Sequence, residues 1–148
     1  VVVSVTALDP LGRVRTLDAA ECGFAYRHSR LRAERWVVLG AELRAGGPGC
    51  DAAALLSRRK RQPLGRSPGC VFKNPAGFPH GAGWIIDKAG LKGLCVGGAE
   101  VSRSHGNFIL NRGRANSADV LTLIDIVREK VYKEFNLELD LELEVVLN

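Results

Sequence analysis

The C-terminal third of the sequence contains two regular patterns side by side, and they constrain the fold more than any other feature. Ser117 and Asp119 are residue types that favour a helix start, and apolar residues then recur at helical spacing as far as Phe135. Beyond Asn136, leucine or valine alternates with an acidic residue as far as Val145, which is the period of a half-buried strand. The two patterns predict a long amphipathic helix, capped by Ser117, and a terminal strand.

Shorter elements are predicted in the rest of the chain. The sequence DPLG at 9–12 is typical of a turn, so strands at 1–8 and 13–17 should form a hairpin. Asp51 should cap a helix that runs to about residue 60, with Ala52, Leu55 and Leu56 as its apolar stripe. Further strands are predicted at 36–43, 91–101 and 107–111, and a short helix at 84–89. Residues 62–83 show no sustained periodicity, and so long a loop is usually functional or disordered.

Charge and composition narrow the class of partner. The net charge of +5 favours an anionic partner, either a phosphorylated small molecule or a nucleic acid. No stretch approaches the roughly 18 apolar residues of a membrane span, so no membrane contact is expected. The cysteines are widely spaced and no histidine stands at zinc-ligand spacing beside them, so no metal is expected. A disulfide pair stays open as an alternative, but scattered thiols fit a reducing cytosol better. The chain lacks methionine and opens inside a predicted strand, which is expected of a piece of a longer protein.

The loop at 69–75, with the sequence GCVFKNP, is the strongest candidate for a reactive site. Pro68 and Pro75 flank it, which argues against a helix interior, and a thiol, a lysine and an asparagine lie within five residues of one another. The basic run RRKR at 58–61 lies just upstream. This arrangement indicates a reaction centre on a loop beside an anion-binding patch. Considered alone, Cys70 is more often a quiet buried thiol.

Several short motifs together resemble one enzyme family. They are YRHS at 26–29, RQP at 61–63, GCVFKNP at 69–75, AGLKG at 89–93, GGAEV at 97–101 and HGNFI at 105–109. In this order, followed by the C-terminal helix and strand, they resemble UDP-N-acetylenolpyruvoylglucosamine reductase, a flavoenzyme of peptidoglycan biosynthesis. Each motif is weak by itself, but their joint order is specific and covers nearly the whole chain.

The resemblance implies an α+β fold with mixed sheets. It assigns residues 1–58 to the later part of the FAD-binding domain and residues 59–148 to an α+β substrate-binding domain. The family uses NADPH as hydride donor and FAD as cofactor, and its substrate is a UDP-sugar that carries an enolpyruvyl group. An N-terminal segment with the main FAD-binding loop is not found in this chain, so residues that contact FAD stay unknown. The missing N-terminal FAD-domain segment is therefore a candidate partner.

The same resemblance implies roles for particular residues. Arg27 would bind the charge that develops on the substrate carboxylate, because a guanidinium is always charged and presents a planar fork of donors. Cys70 would deliver a proton to the carbanion; many family members have serine there, and a thiol of pKa about 8.5 gives up a proton more readily than an alcohol. Glu142 would assist at the substrate carboxyl. Arg58, Arg61 and Asn74 would contact the substrate, the first two at its diphosphate.

Other interpretations of these residues stay open. Arg27 alone would most simply form a surface salt bridge, and Glu142 lies among alternating acids that a solvated strand face would explain. The basic run suggests a nucleic-acid-binding module, but the chain has few aromatic residues and no recognised binding motif. A further alternative is an inactive fragment of the reductase.

Overall fold

The computed structural model describes residues 1–46, 51–60 and 62–146, and the chain divides into two compact units, Val1–Asp51 and Ala52–Asn148. The resemblance placed the domain boundary at residue 58. The assignment of the first unit to a flavin domain and of the second to a substrate domain stays a prediction.

The first unit is a three-stranded sheet with one short helix. Its elements are β1 (Val2–Leu8), β2 (Val14–Asp18), α1 (Arg30–Ala33) and β3 (Val37–Leu43), and the strand order is β2-β1-β3. The predicted hairpin is confirmed, since β1 pairs with β2 across a turn in which Asp9 Oδ1 accepts hydrogen bonds from the backbone N–H groups of Leu11 and Arg13, each at 2.9 Å. A small core fills this unit: Val5, Ala7, Leu17, Cys22 and Leu31.

The second unit contains the other helices and a second small sheet. Its elements are α2 (Ala52–Lys60), α3 (Ala82–Lys88), β4 (Cys95–Val96), β5 (Ala99–Val101), β6 (Ile109–Asn111) and α4 (Ser117–Phe135), with strand order β4-β5-β6. One buried cluster joins α3, the sheet and α4 with residues 71, 72 and 139. Helices and sheets in separate segments agree with the expected α+β class.

The long helix α4 is confirmed, but its predicted cap is wrong by one residue. Asn116 is the N-cap: its side chain accepts from the backbone N–H of Asp119 at 2.8 Å, and the Asp119 carboxylate accepts from the Asn116 N–H at 3.1 Å. Ser117 is already helical, so its side chain is not placed to cap. The buried stripe is as predicted from 123 onward, and the helix ends at Asn136 in the left-handed conformation.

The strand predicted at 91–101 is wrong as a single element. It is a hairpin, β4 and β5, because Gly97 has φ +52 and turns the chain between them. A Cβ on Gly98 would lie 2.3 Å from the backbone nitrogen of Ala115, so the hairpin packs closely against the chain before α4. The short helix predicted at 84–89, with Gly90 as the residue that stops it, is confirmed. Helix α3 begins two residues and ends one residue earlier than predicted, and Gly90 has φ +70.

The predicted C-terminal strand is also wrong. Residues 137–146 pair with the chain at one isolated bridge, Phe72 with Leu141, and do not form a ladder within the described ranges. Alternation still sets burial here, since Leu139 is buried while Glu138 and Asp140 are exposed. A segment can bury alternate side chains through one bridge and packing on a helix without extended pairing on either side.

Two other expectations are corrected. Leu55 and Leu56, predicted in the buried stripe of α2, are 50% and 60% exposed. The two leucines have the spacing of an apolar helix stripe, but within the described residues neither side chain belongs to the core cluster of the second unit. The expected mixed sheets are wrong for the described ranges, where both sheets are antiparallel. The β1–β2 and β4–β5 connections are too short for the crossover that parallel neighbours need.

Candidate active site

The Cys70 segment is held as a short extended piece between two other segments. On one side, Val71 donates its N–H to the carbonyl of Asn107 at 3.0 Å, and Cys70 pairs with Phe108. On the other side, Glu142 donates its N–H to the Val71 carbonyl at 2.8 Å. A sequence that lacks periodicity therefore acquires strand-like order from both neighbours, which fixes the backbone at the thiol.

A buried asparagine completes this arrangement. The Asn107 side chain is 4% exposed; its Oδ1 accepts from the Phe72 N–H and its Nδ2 donates to the Phe72 carbonyl, both at 2.8 Å. The Asn107 amide thus hydrogen bonds both the N–H and the carbonyl of Phe72, which a neighbouring strand would otherwise pair with on that edge. Asn107 thereby fixes the backbone two residues after Cys70.

Cys70 lines a cavity of about 370 Å³ in the second unit. Cys70 is half-buried, and the backbone turns into it through Gly69, which has φ +89. Residues that line the cavity with it include Asn74, Trp84, Lys92, His105 and Asn107. The combination of a thiol, an amide, an imidazole, a cation and an indole gives this cavity both hydrogen-bonding groups and an aromatic surface.

Charge in this cavity is locally balanced. Lys92 Nζ lies 2.7 Å from Asp87 Oδ2, and both residues line the cavity. The indole of Trp84 stacks on His80 with ring centroids 3.8 Å apart and planes inclined by 24°. A cavity with paired charges and an aromatic surface suits an oxygen-rich ligand of little net charge better than it suits an isolated anion.

Glu142 differs from the acids around it in burial. It is half-buried, whereas Glu138, Asp140 and Glu144 are exposed. Its backbone lies against Val71, so the structure brings its chain position next to that of Cys70. Glu142 is not among the residues that line the Cys70 cavity. The solvated-face interpretation therefore fits its neighbours but not Glu142 itself.

Asn74 lies at the cavity and also supports the neighbouring helix. Its Oδ1 accepts from the N–H of Ala82, the first residue of α3, at 3.0 Å. The close fit requires glycine at 81, because a Cβ there would lie 2.7 Å from Asn74 Oδ1. Capping of α3 is thus an observed role of Asn74, and substrate contact stays a prediction.

Arg27 lies in the first unit, at the tip of a tight turn. Ala25 and His28 exchange two backbone hydrogen bonds of 3.1 Å, which leaves Tyr26 and Arg27 as the turn residues. Arg27 is exposed, has φ +54, and its guanidinium lies 5.8 Å from the centroid of the Tyr26 ring. A left-handed conformation at an arginine is uncommon and often marks a functional position.

The two residues predicted for the diphosphate lie outside the described part of the structure. Arg61 is outside the described residues, and the side chain of Arg58 is as well. Within the described ranges, no group of three or more His, Cys, Asp or Glu residues could hold a metal ion. No helix there is long and apolar enough to cross a bilayer.

Sequence reasoning missed Lys92, His105 and Asn107 as site residues. All three stand in motifs that carry the resemblance, AGLKG and HGNFI, but nothing in their spacing connects them with Cys70. The position of Asn107 directly before the apolar run FIL at 108–110 was the available signal, since a buried asparagine needs hydrogen-bond partners.

Comparison with known proteins gives the class of this fold and site. The family model described as UDP-N-acetylenolpyruvoylglucosamine reductase, C-terminal domain, matches residues 61–146. A crystal structure of UDP-N-acetylenolpyruvylglucosamine reductase from Thermus caldophilus aligns with a TM-score of 0.80 at 37% identity, over 97% of this chain and 52% of that one. The chain belongs to the UDP-N-acetylenolpyruvoylglucosamine reductase family, as the resemblance of its motifs predicted.

Curated relatives agree in name and show how much of the protein is matched. The reductase from Moorella thermoacetica is 47% identical over 97% of this chain and 49% of its own length. The reductase from Heliobacterium modesticaldum is 46% identical over 96% of this chain and 47% of its own length. The chain spans about half the length of the curated relatives that it matches.

Proposed function

We propose that this chain forms the proton-delivering side of a reductase that acts on UDP-N-acetylglucosamine enolpyruvate in peptidoglycan biosynthesis. NADPH would be the hydride donor and FAD the cofactor. The observation that carries the proposal is the position of Cys70: backbone hydrogen bonds hold its segment between Asn107 and Glu142, and Cys70 lines a cavity with several polar residues. Family membership supplies the reaction class.

The described residues do not by themselves fit FAD. Their positive-φ glycines stand singly in turns, and at the start of α4 the N–H groups of Asn116 and Asp119 are already bonded within the capping box. A pyrophosphate is usually held by several consecutive free amides at a helix N-terminus. We therefore assign no flavin contact to these residues and derive no step from the cofactor.

The proposed chemistry of this chain concerns one proton and one charge. Reduction of the enolpyruvyl double bond adds a hydride at the methylene carbon and a proton at the carbon beside the carboxylate. Cys70 gives that proton, since the S–H bond breaks as the C–H bond forms, and the resulting thiolate is reprotonated from solvent. The half-buried position of Cys70 suits a donor that must face one side of a bound substrate.

Arg27 and Glu142 act on the developing negative charge in this proposal. Arg27 binds the carboxylate through its fork of N–H donors. Glu142 assists at the substrate carboxyl, a role that suits the one acid among the described residues of its segment that is half-buried. Arg58, Arg61 and Asn74 remain the proposed contacts to the rest of the UDP-sugar.

Replacement of Cys70 in the full-length protein tests the proposal. In Cys70→Ala, reduction of the flavin by NADPH should proceed at the wild-type rate, while its reoxidation by substrate should slow by about 10²–10⁴-fold, the usual range for a lost general acid. Cys70→Ser should retain substantial activity because a hydroxyl can also deliver a proton. Stopped-flow absorbance of the flavin measures both half-reactions, and normal reoxidation in Cys70→Ala would contradict the proton-donor role.

The alternative of an inactive fragment has its own test. A visible absorption spectrum of the purified chain shows whether it retains a flavin. We expect a spectrum without flavin bands from this chain alone, because the described residues do not fit FAD. Flavin bands would show that the chain binds the cofactor without the rest of the protein.

A further inference from the structure

The turn that carries Arg27 holds this residue in a backbone conformation that is unusual for its place in the chain. Three non-glycine residues within the described ranges have a positive φ, and two of them, Arg35 and Asn136, follow helices, where a left-handed residue is common. Arg27, at φ +54, lies in a turn between Ala25 and His28 instead. Because a Cβ disfavours this conformation, it persists only where the surrounding chain holds it.

Ser29 joins this turn to helix α1. Its backbone is extended, with φ −154 and ψ 154, and its Oγ accepts a hydrogen bond from the backbone N–H of Arg32 at 3.2 Å, so it is the N-cap of the helix. The next residue, Arg30, donates its N–H to the carbonyl of Cys22 at 2.8 Å, and Cys22 is fully buried. Ser29 therefore connects the turn to a helix that is fixed to the small core of the first unit.

Different side chains hold the two ends of α1. The helix has only four residues, so it depends on contacts outside its own backbone. At its C-terminal end, the Glu34 carboxylate accepts hydrogen bonds from Nε of Arg30 and from Nε1 of Trp36, each at 2.9 Å. At its N-terminal end the side chain of Ser29 supplies the cap, two residues after Arg27. Loss of either side chain loosens the helix, but loss of the Ser29 cap acts at the end that adjoins the turn.

We propose that Ser29 is a positioning residue for the reductase reaction: its cap on α1 keeps Arg27 in the left-handed conformation in which the guanidinium binds the substrate carboxylate. The inference rests on the proposed function for the role of Arg27. A planar fork of N–H donors must meet two carboxylate oxygens at once, so a change of backbone direction at Arg27 weakens both hydrogen bonds together. Ser29 acts through the backbone and does not itself contact the substrate.

Replacement of Ser29 in the full-length protein tests this role. In Ser29→Ala the N–H of Arg32 loses its acceptor, and reoxidation of the flavin by the UDP-sugar should slow by about fivefold or more, with flavin reduction by NADPH unchanged. Ser29→Asn should stay within about twofold of wild type, because an asparagine side chain also caps a helix. Stopped-flow absorbance measures both half-reactions. A wild-type rate in Ser29→Ala, or an equal loss in Ser29→Asn, would overturn the proposal.

Two controls distinguish positioning from a general loosening of the first unit. Glu34→Ala removes the hydrogen bonds at the other end of α1, and its reoxidation rate should stay within about twofold of wild type. Equal slowing in Glu34→Ala and Ser29→Ala would overturn the proposal. UDP-N-acetylglucosamine lacks the carboxylate, so by calorimetry it should bind Ser29→Ala as tightly as wild type. A loss of affinity that matches the loss of rate would also overturn it.

An NMR measurement on the purified chain tests the hold on Arg27 independently of activity. A positive φ brings the amide proton and the Hα of one residue close together, so the nuclear Overhauser effect between them should be strong for Arg27 in wild type. It should weaken in Ser29→Ala and recover in Ser29→Asn. An unchanged signal in Ser29→Ala would overturn the role of Ser29 even if the enzyme turns over its substrate. If wild-type full-length protein fails to turn over the UDP-sugar, the proposed function is wrong, and this signal still decides whether Ser29 holds Arg27.

Discussion

The two units of the chain bury their apolar residues very differently. The second unit has a continuous core in which Ile85, Ile86 and Leu123 are fully buried. In the first unit, every residue of β3 is exposed, including Val37, Val38 and Leu39 at 53–58%. Both units contain apolar residues in regular elements, so apolar content alone does not distinguish a strand that closes a core from one that does not.

The residues proposed for the reaction lie in both units. The described residues that line the Cys70 cavity belong to the second unit, and the hydrogen bonds that hold its backbone include those of the buried Asn107 side chain. Arg27 lies on an exposed turn of the first unit. We therefore expect the geometry around Cys70 to follow the stability of the second unit.

Matched leucine substitutions should give the largest difference in stability. Leu123→Ala removes a fully buried side chain in α4 and should lower the free energy of unfolding by about 2–5 kcal/mol. Leu39→Ala removes a side chain that is 57% exposed, and its effect should be within about 0.5 kcal/mol. Denaturant unfolding followed by circular dichroism measures both. Equal losses would show that β3 is buried in solution and would break the comparison.

A smaller effect tests the start of α4. Asn116→Ala should lower the free energy of unfolding by about 0.5–2 kcal/mol, because the N–H of Asp119 loses its acceptor. Ser117→Ala, at the first helical position, should change it by only a few tenths of a kcal/mol. If Ser117→Ala had the larger effect in thermal unfolding, Ser117 would be the cap.

The pH dependence of stability compares the single buried carboxylate of each unit among the described residues, Asp9 and Glu100. Hydrogen bonds from Arg112 and Arg103 hold the pKa of Glu100 below its ordinary value of about 4.5. The pKa of Glu100 is lower in the folded state than in the unfolded state. The ionised carboxylate therefore stabilises the fold above about pH 4.5, and this stabilisation is lost as the pH falls through the folded-state pKa. Denaturation midpoints at pH 7 and below 4 should show a smaller acid loss in Glu100→Gln than in wild type.

Backbone hydrogen bonds act in the same direction on Asp9 in the first unit. The N–H of Arg13 is the largest influence that lowers the pKa of Asp9, and the Arg13 guanidinium adds to it at 3.0 Å. Asp9→Asn is the corresponding substitution in the first unit and serves as the matched control for the acid loss of Glu100→Gln. An unchanged acid loss in Glu100→Gln would show that this carboxylate contributes little to the stability of the second unit.

Local patterns predicted the helices α2, α3 and α4 and the hairpin because their signals lie within a few residues, whereas the short helix α1 was not predicted. The β1–β2 turn and the stripe of α4 depend on chain-local geometry, and both were found. The cap of α4 was misplaced because Asn116 and Ser117 are adjacent residues of equally good capping type. The strand at 91–101 failed because a glycine pair can either continue a strand or turn it, and Asp119, which accepts from the Gly98 N–H at 3.1 Å, lies far along the chain.

The candidate site was harder to predict because it depends on contacts between distant residues. The residues of the 69–75 loop pointed to a reactive site, but only the resemblance gave Cys70 its role as proton donor. Resemblance alone selected Glu142, because the alternating acids gave no reason to prefer it to Glu144. Glu142 directly follows the bridge between Phe72 and Leu141 and is half-buried, whereas Glu144 lies further along the chain and is exposed. His105 and Asn107 gain their roles from their positions beside Phe72 and α3, which no local pattern reports.

A matched pair of glutamine substitutions tests the central claim that the chain around Cys70 selects one acid, Glu142, for the reaction. In the full-length protein, Glu142→Gln should slow flavin reoxidation by the UDP-sugar by about 10²–10³-fold, the usual cost of one group that stabilises developing charge. Glu144→Gln, at an exposed residue two positions away, should react at the wild-type rate. Stopped-flow reoxidation that is equally slow in both variants, or normal in Glu142→Gln, would contradict the claim.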